Sequence, residues 1–203
     1  VSRLLVVCRG NVCRSRAAEH LLRAGLAGTG ITVGSAGTHA LAGAPADPLV
    51  VAQLRARGVD VPPAPARQLD RAALRAADVV VVMTAAQRSA VVAVDPAAVR
   101  RTFPLRQLAR LLATPGTAVP GADAAERLLT LPALLAARRS ARPPDGGEDV
   151  EDPYGRDAAV TGRVVAQIED AVQGLVGALL QPAPPGAPAP GRTPGDVDAL
   201  RGV

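Results

Sequence analysis

Four short runs of β-prone residues punctuate the chain, and segments of helical periodicity fill the intervals between them. Leu4-Leu5-Val6-Val7 contains no polar residue, as expected of a strand covered on both faces. Ile31-Thr32-Val33 leads into Ser35-Ala36-Gly37-Thr38 and reads as a second strand. Asp78 precedes Val79-Val80-Val81-Val82-Met83, a continuous apolar, largely β-branched run that predicts a buried parallel strand. Val99 to Phe103 predicts the fourth. Between them, a helix is expected over 16–23, with Ser15 placed to start it and Gly28 to Gly30 as its stop. Further helices are expected over 49–57 with Gly58 as terminator, from Asp70, from Thr84, and from Pro104-Leu105 through Leu112.

The second half is more helical. Leu128, Leu129, Leu131, Leu134 and Leu135 mark a helix over 124–139 that Pro132 is expected to bend or divide. Val160, Val164, Ile168, Val172, Leu175 and Leu179 form the apolar stripe of a closing helix over 157–180. A Pro/Gly/Ala connector covers 114–123, and 140–147 is expected to be a loop. From Gln181 onward Pro and Gly crowd the chain, so the expected organisation is one domain over 1–180 followed by a disordered tail over 181–203. Strands alternating with helices predict an α/β, three-layer fold with a central four-stranded parallel sheet flanked by helices.

Chemistry concentrates at the end of the first strand. Cys8-Arg9-Gly10-Asn11-Val12-Cys13-Arg14-Ser15 joins that strand directly to the first helix, and Gly10-Asn11 tolerates positive φ. Successive N–H groups can therefore point into one concavity, where the positive end of the helix dipole adds to their attraction for an anion such as phosphate. In that field Cys8 favours the nucleophilic thiolate, and Arg14, six residues on, carries a planar fork suited to two phosphoryl oxygens. A Cys8–Cys13 disulfide, an incomplete metal pair and a pair of buried thiols are the alternative readings of the two cysteines.

The segment from Val7 to Ser15 resembles the signature of the low-molecular-weight protein tyrosine phosphatases. The resemblance continues through Ser35-Ala36-Gly37-Thr38, Ala66-Arg67-Gln68 and Asp152-Pro153-Tyr154-Gly155 and is loose around 113–147. It implies a phosphate loop after the first strand and a cysteine-dependent hydrolysis of phosphotyrosine in proteins through a phosphocysteine intermediate, with no metal and no cofactor. Cys8, Arg14 and Asp152 would be catalytic. Arg9, Gly10, Asn11, Val12, Cys13, Ser15 and Tyr154 would bind substrate. Ser15 would hydrogen-bond the sulfur, Ser35 would brace Asn11 unless it is simply a turn hydroxyl, and Asp152 would be the general acid on a mobile loop, with Asp149 and Glu151 as alternatives. Cys13 would be either a redox partner of Cys8 or a packed thiol.

Two departures from the family pattern stand out. Many members have a histidine, hydrogen-bonded toward the loop asparagine, where Ala64 stands, so a looser Asn11 is expected. Arg16 replaces a proline and is expected, like Arg9, to be solvated rather than part of the positive field at the entrance. Of the wall of the substrate cleft, 39–48, only His39 and Leu41 offer bulk, and His39 is expected to be a solvated loop residue. Alternative functions are a protein arginine phosphatase on the same scaffold, in which Thr tends to stand where Val12 is, and a weakly active phosphoprotein-binding module. Arsenate reduction would need further cysteines downstream of Cys13, and there are none.

Composition narrows the partners. All 23 basic Lys/Arg residues are arginines, the formal net charge is +5, and the chain has one Phe, one Tyr and no Trp. Scattered arginines without stacking platforms argue against nucleic acid. Two cysteines, both in the loop, fit a reducing cytosol. The absence of an 18-residue apolar run, signal peptide or lipidation box predicts a cytoplasmic protein with no membrane contact. The expected partner is a phosphotyrosine-bearing protein, such as a tyrosine kinase, acted on by a monomer.

Overall fold

The computed structural model describes residues 2–136 and 147–181. Four strands, β1 (Ser2–Cys8), β2 (Ile31–Gly37), β3 (Val79–Val82) and β4 (Thr102–Pro104), form one sheet in the order β2-β1-β3-β4, and every pairing is parallel. Seven helices connect or follow them: α1 (Arg14–Gly25), α2 (Pro48–Arg55), α3 (Arg71–Ala76), α4 (Ala85–Val94), α5 (Leu105–Leu112), α6 (Ala124–Ala136) and α7 (Ala158–Leu180).

The unbroken apolar runs of β1 and β3 are explained by cover on both faces. Leu4, Val6, Val79 and Val81 share one core with Phe103 and with leucines and valines of α1, α2, α5, α6 and α7. Leu5, Val7, Val80 and Val82 face the other way onto a smaller core with Leu69, Leu74 of α3, Val91 of α4 and Ala98. Alternate side chains of a strand point to opposite faces, so a strand with no polar position belongs in the middle of three layers. α7 closes the larger face by packing against α1, α2, α5 and α6.

Several element boundaries differ from expectation, each for a local reason. The fourth strand begins at Thr102 rather than Val99, because Asp95-Pro96 starts a 3₁₀ turn over Pro96–Arg100 in which Asp95 Oδ1 accepts from Ala97 N. Proline at the first turn and a capping carboxylate favour that turn over extension. α2 starts at Pro48 and ends at Arg55, capped by Asp47, which accepts from the amides of Leu49 and Val50. α6 runs through Pro132 undivided. α1 starts at Arg14, two residues early, and Ser15 does not cap it. Its hydroxyl has other partners. The helix expected over 137–139, the loop over 140–146 and the tail over 182–203 fall outside the described residues. Among the described residues no helix is long and apolar enough to cross a membrane.

β1 lies between β2, reached through α1, and β3, reached by crossing back past it. The connections that follow the neighbouring strands β1 and β3 run in opposite directions, to β2 and to β4, which opens a crevice of the kind that holds ligands in parallel sheets. Cys8 ends β1 at that crevice.

Candidate active site

The loop from Arg9 to Cys13 is held from outside by its carbonyls. Those of Cys8, Arg9, Gly10 and Val12 accept from the amides of Thr38, His39, Leu41 and Asp47, at 2.9 to 3.0 Å. In a trans peptide the N–H points opposite to the C=O, so outward carbonyls turn the following amides toward the interior of the loop. The amide of Asn11 follows this rule: Gly10 O faces Leu41, and Asn11 N donates to Cys8 Sγ at 3.3 Å. The close fit requires Gly37 at the end of β2, where a Cβ would come within 2.5 Å of Arg9 O.

Asn11 is the only non-glycine residue at positive φ, +58°, among the described residues. Its side chain fixes that conformation. Nδ2 donates to Ser35 Oγ at 2.8 Å and Ser15 Oγ at 3.0 Å, while Oδ1 accepts from Arg67 N at 2.8 Å. Both amide hydrogens and the carbonyl are occupied, so alanine at position 64 does not leave Asn11 loose as expected. Ser35 is a brace for Asn11 and also donates to Glu19 Oε2 at 2.5 Å.

Cys8 is buried, its sulfur 3.0 Å from Ser15 Oγ. The Asn11 amide and the Ser15 hydroxyl converge on one sulfur. Cys13 is also buried: loss of hydration, then the negative charges of Asp47, Cys8 and Asp152, push its thiol far up, so it stays protonated at neutral pH. Both cysteines are free.

Arg14 is buried at the start of α1 and donates to two groups from the far end of the chain. NH1 donates to Val150 O at 3.0 Å, and NH2 pairs with Asp152 Oδ2 at 2.6 Å. Its Nε–H is buried with no protein acceptor, so the fork retains a donor for an anion in the loop. Asp152 is half exposed. Its segment is pinned further back: Val150 N donates to Met83 O at 2.9 Å, Asp149 Oδ1 accepts from Ala85 N at 2.8 Å, Arg110 Nε pairs with Glu148 at 2.8 Å, and Arg106 donates to Gly147 O. This separates the three candidate acids. Asp149 is turned to the start of α4, Glu151 lies 3.9 Å from Arg156, and Asp152 faces the loop.

These groups line a cleft of about 330 Å³, with Cys8, Gly10, Cys13 and Arg14 around its base. Val12, Leu41 and Tyr154 supply its apolar walls, and Arg9 and His39 complete the rim. Leu41 and Tyr154 are exposed, 42% and 58%, a placement that suits a flat apolar group entering between them. His39 is exposed, with its ring 3.3 Å from Thr38 Oγ1, as expected of a loop residue.

Arg16 is the clearest correction. Expected in solvent, it is 2% exposed, paired with the equally buried Glu19 at 2.8 Å and reaching Ala64 O at 3.4 Å. Glu19 and Gln68 were not anticipated as part of the site. Gln68 braces the outer segment by accepting from Ala40 N and donating to Thr38 O. The spacing of Arg16 and Glu19, three apart on a helix, was the available signal for their pairing.

Comparison with known proteins agrees with this geometry. The family model of the low molecular weight phosphotyrosine protein phosphatases matches residues 3–110. A probable low molecular weight protein-tyrosine-phosphatase, EpsP of Ralstonia nicotianae, is 39% identical over 108 residues, 53% of this chain and 73% of the relative. The crystal structure of the Erwinia amylovora tyrosine phosphatase AmsI superposes with a TM-score of 0.67 at 24% identity, covering 89% of this chain and 95% of that one. The arginine phosphatase YwlE of Geobacillus stearothermophilus superposes with a TM-score of 0.64 at 26% identity, covering 87% and 91%. Family model and relative agree, and the chain belongs to the low molecular weight phosphotyrosine protein phosphatase family, as a protein-tyrosine-phosphatase and a hydrolase.

Proposed function

We propose that Cys8, Arg14 and Asp152 carry out the hydrolysis in two steps on phosphotyrosine in a protein substrate. The observation that supports this most directly is the meeting of three groups: Cys8 Sγ held by Ser15 and Asn11, Arg14 at the other end of the loop, and Asp152 2.6 Å from Arg14. A phosphoryl dianion entering the loop takes over the Arg14 fork, displacing the Asp152 carboxylate, and the inward amides hold its equatorial oxygens. Asp152, displaced from Arg14, serves as the proton donor.

The sulfur of Cys8 then attacks phosphorus in line, forming the S–P bond as the P–O bond to the ring breaks. The proton of Asp152 goes to the departing phenolate oxygen. In the second step water attacks phosphorus and gives a proton back to Asp152, and the S–P bond breaks, releasing phosphate and restoring the thiolate. Ser15 and the Asn11 amide stabilise the sulfur both before attack and as it leaves. Arg9, Gly10, Val12 and Cys13 complete the substrate-binding loop, and Tyr154 and Leu41 flank the ring. A tyrosine kinase is a fitting substrate, since it carries phosphotyrosine on exposed segments.

Val12 is the feature that favours tyrosine over arginine, because the arginine phosphatases of this scaffold tend to carry Thr there. The test is turnover of para-nitrophenyl phosphate and a phosphotyrosyl peptide, with phosphoarginine as competitor. Turnover lost in Cys8→Ser, and weak inhibition by phosphoarginine, are expected. Wild-type turnover in Cys8→Ser overturns the mechanism, and preferential hydrolysis of phosphoarginine overturns the substrate.

A further inference from the structure

The polar chain behind Cys8 has a definite direction. Arg67 N donates to Asn11 Oδ1, which settles which end of the Asn11 amide carries the hydrogens. Both are then used, one on Ser35 Oγ and one on Ser15 Oγ. Ser35 gives its own proton to Glu19 Oε2 at 2.5 Å. Ser15, already accepting from Asn11, is left with its hydroxyl proton for Cys8 Sγ at 3.0 Å. Two anchors set the series: Arg67 N at Asn11 Oδ1, and Glu19 as the acceptor of the Ser35 proton. A protonated or neutral group at that place could donate to Ser35 instead and remove the constraint on the rest.

Glu19 is 1% exposed, and a carboxylate there stays ionised only if it is paired. Arg23 NH2 holds Oε1 at 2.6 Å from a half-exposed position. Arg16 NH1 holds Oε2 at 2.8 Å, the oxygen that also receives Ser35, and does so with its guanidinium 2% exposed and its NH2 on Ala64 O.

We infer that Arg16 is a positioning residue for catalysis: by holding Glu19 as the acceptor for Ser35 it keeps the Ser35 oxygen turned to Asn11 Nδ2 and, together with Arg67 N, holds the Asn11 side chain against Ser15, so that the Ser15 hydroxyl donates to the sulfur of Cys8. The inference rests on Cys8 being the nucleophile. It gives a buried arginine in the first turn of α1, outside the lining of the cleft, a role in how readily the sulfur reacts and departs.

The test compares Arg16→Met, Arg16→Lys, Ser35→Ala and the double variant Arg16→Met/Ser35→Ala, in the full chain. Arg16→Met is expected to slow alkylation of Cys8 by iodoacetate at about pH 6, and kcat for para-nitrophenyl phosphate, by about tenfold each, the scale of one hydrogen bond to a charged group. KM stays within about twofold, because the loop amides and Arg14 are untouched. Arg16→Lys restores most of both rates, and the double variant is no slower than Ser35→Ala alone, since both changes cut one series. Removing one member of a buried pair can prevent folding. The paired variant Arg16→Met/Glu19→Leu, which leaves no charge of that pair behind, then reads the same loss. A wild-type alkylation rate and kcat in either variant, or multiplicative losses in the double variant, overturn the inference. Cys8→Ser would still be inactive in that event, so failure here is distinct from failure of the mechanism.

Discussion

The two halves of the site are built in opposite ways. On the nucleophile side, Cys8, Asn11, Ser15, Ser35, Arg16 and Glu19 are all buried, and their polar groups bind one another behind the loop. On the acid side, Asp152 and Tyr154 are exposed, and their segment is held by arginines of α5, the first turn of α4 and the end of β3. A buried network has few alternatives, because each group that lets go loses its partner without gaining water. An exposed carboxylate can exchange Arg14 for solvent or for substrate at little cost. The loop around Cys8 is therefore held rigidly, and Asp152, the proposed proton donor, is left free to yield its place at Arg14.

The strongest way to break the acid half is Asp152→Ala. It is expected to lower kcat by roughly a hundredfold to ten-thousandfold, the range of a lost general acid, with the deepest losses for the poorest leaving groups. Because the variant also releases Arg14, inorganic phosphate should bind a few-fold tighter (roughly threefold, well within the reach of one charge-assisted bond). Uniform losses across aryl phosphates, measured with weaker phosphate inhibition, would count against Asp152 as both donor and competitor.

On the other side, Gly37→Ala strikes the rigid half from outside. Its Cβ must displace Arg9 O or Ala40, so the loop shifts or the protein loses about 1–3 kcal/mol of stability. Thermal unfolding and kcat should both fall, whereas a silent substitution would mean the loop tolerates more movement than its hydrogen bonds indicate.

A smaller effect is expected at Arg110, whose ion pair with Glu148 is partly exposed at both ends. Such a pair contributes about 0–1 kcal/mol. Arg110→Ala should leave the Tm nearly unchanged and reduce kcat only a few-fold (roughly twofold to fivefold, under 1 kcal/mol). A loss as large as that of Asp152→Ala would show the acid segment to be as rigidly held as the phosphate loop.

His20 provides the mildest probe, of the rigid half's pH tolerance. Burial, the largest cause, lowers its pKa below the ordinary 6.5, aided by Arg16 and Arg23 and opposed by Glu19 and Asp60. Its Nε2 has no partner. The unfolded chain therefore binds a proton at higher pH than the folded one, so the stability associated with neutral His20 is complete above pH 6.5 and is lost as pH falls below it through the folded value. Unfolding by urea across that window should show a shallower pH dependence in His20→Leu than in the wild type. An identical dependence would remove His20 from the acid limb.

Much of the nucleophile half is legible without coordinates because it is local. Cys8, Asn11, Arg14 and Ser15 lie within eight residues, and a turn that tolerates positive φ between an apolar strand and a helix brings them together whatever the rest of the chain does. The alternation of strands and helices is equally local, since each apolar run records the faces its strand must cover. The boundaries that moved did so where short-range turn chemistry outweighed β-propensity, as at Asp95-Pro96.

The acid half, 138 residues from Arg14, depended on packing. Asp149, Glu151 and Asp152 are alike in sequence, and only the docking of Val150 on Met83 and of Asp149 on Ala85 decides which of them turns to the loop. Arg16 was misjudged for the same reason. A charged helical residue is exposed on average, and nothing nearby in sequence reveals that Ala64 O reaches Arg16 or that Ser35 meets its partner Glu19. By itself the sequence determined the secondary structure and the anion loop, because both arise from interactions between near neighbours. The partners of buried charges, and which carboxylate of 149–152 faces the loop, were decided by the tertiary structure, because a polar group in a low-dielectric interior must pair with whatever the fold brings within hydrogen-bonding distance.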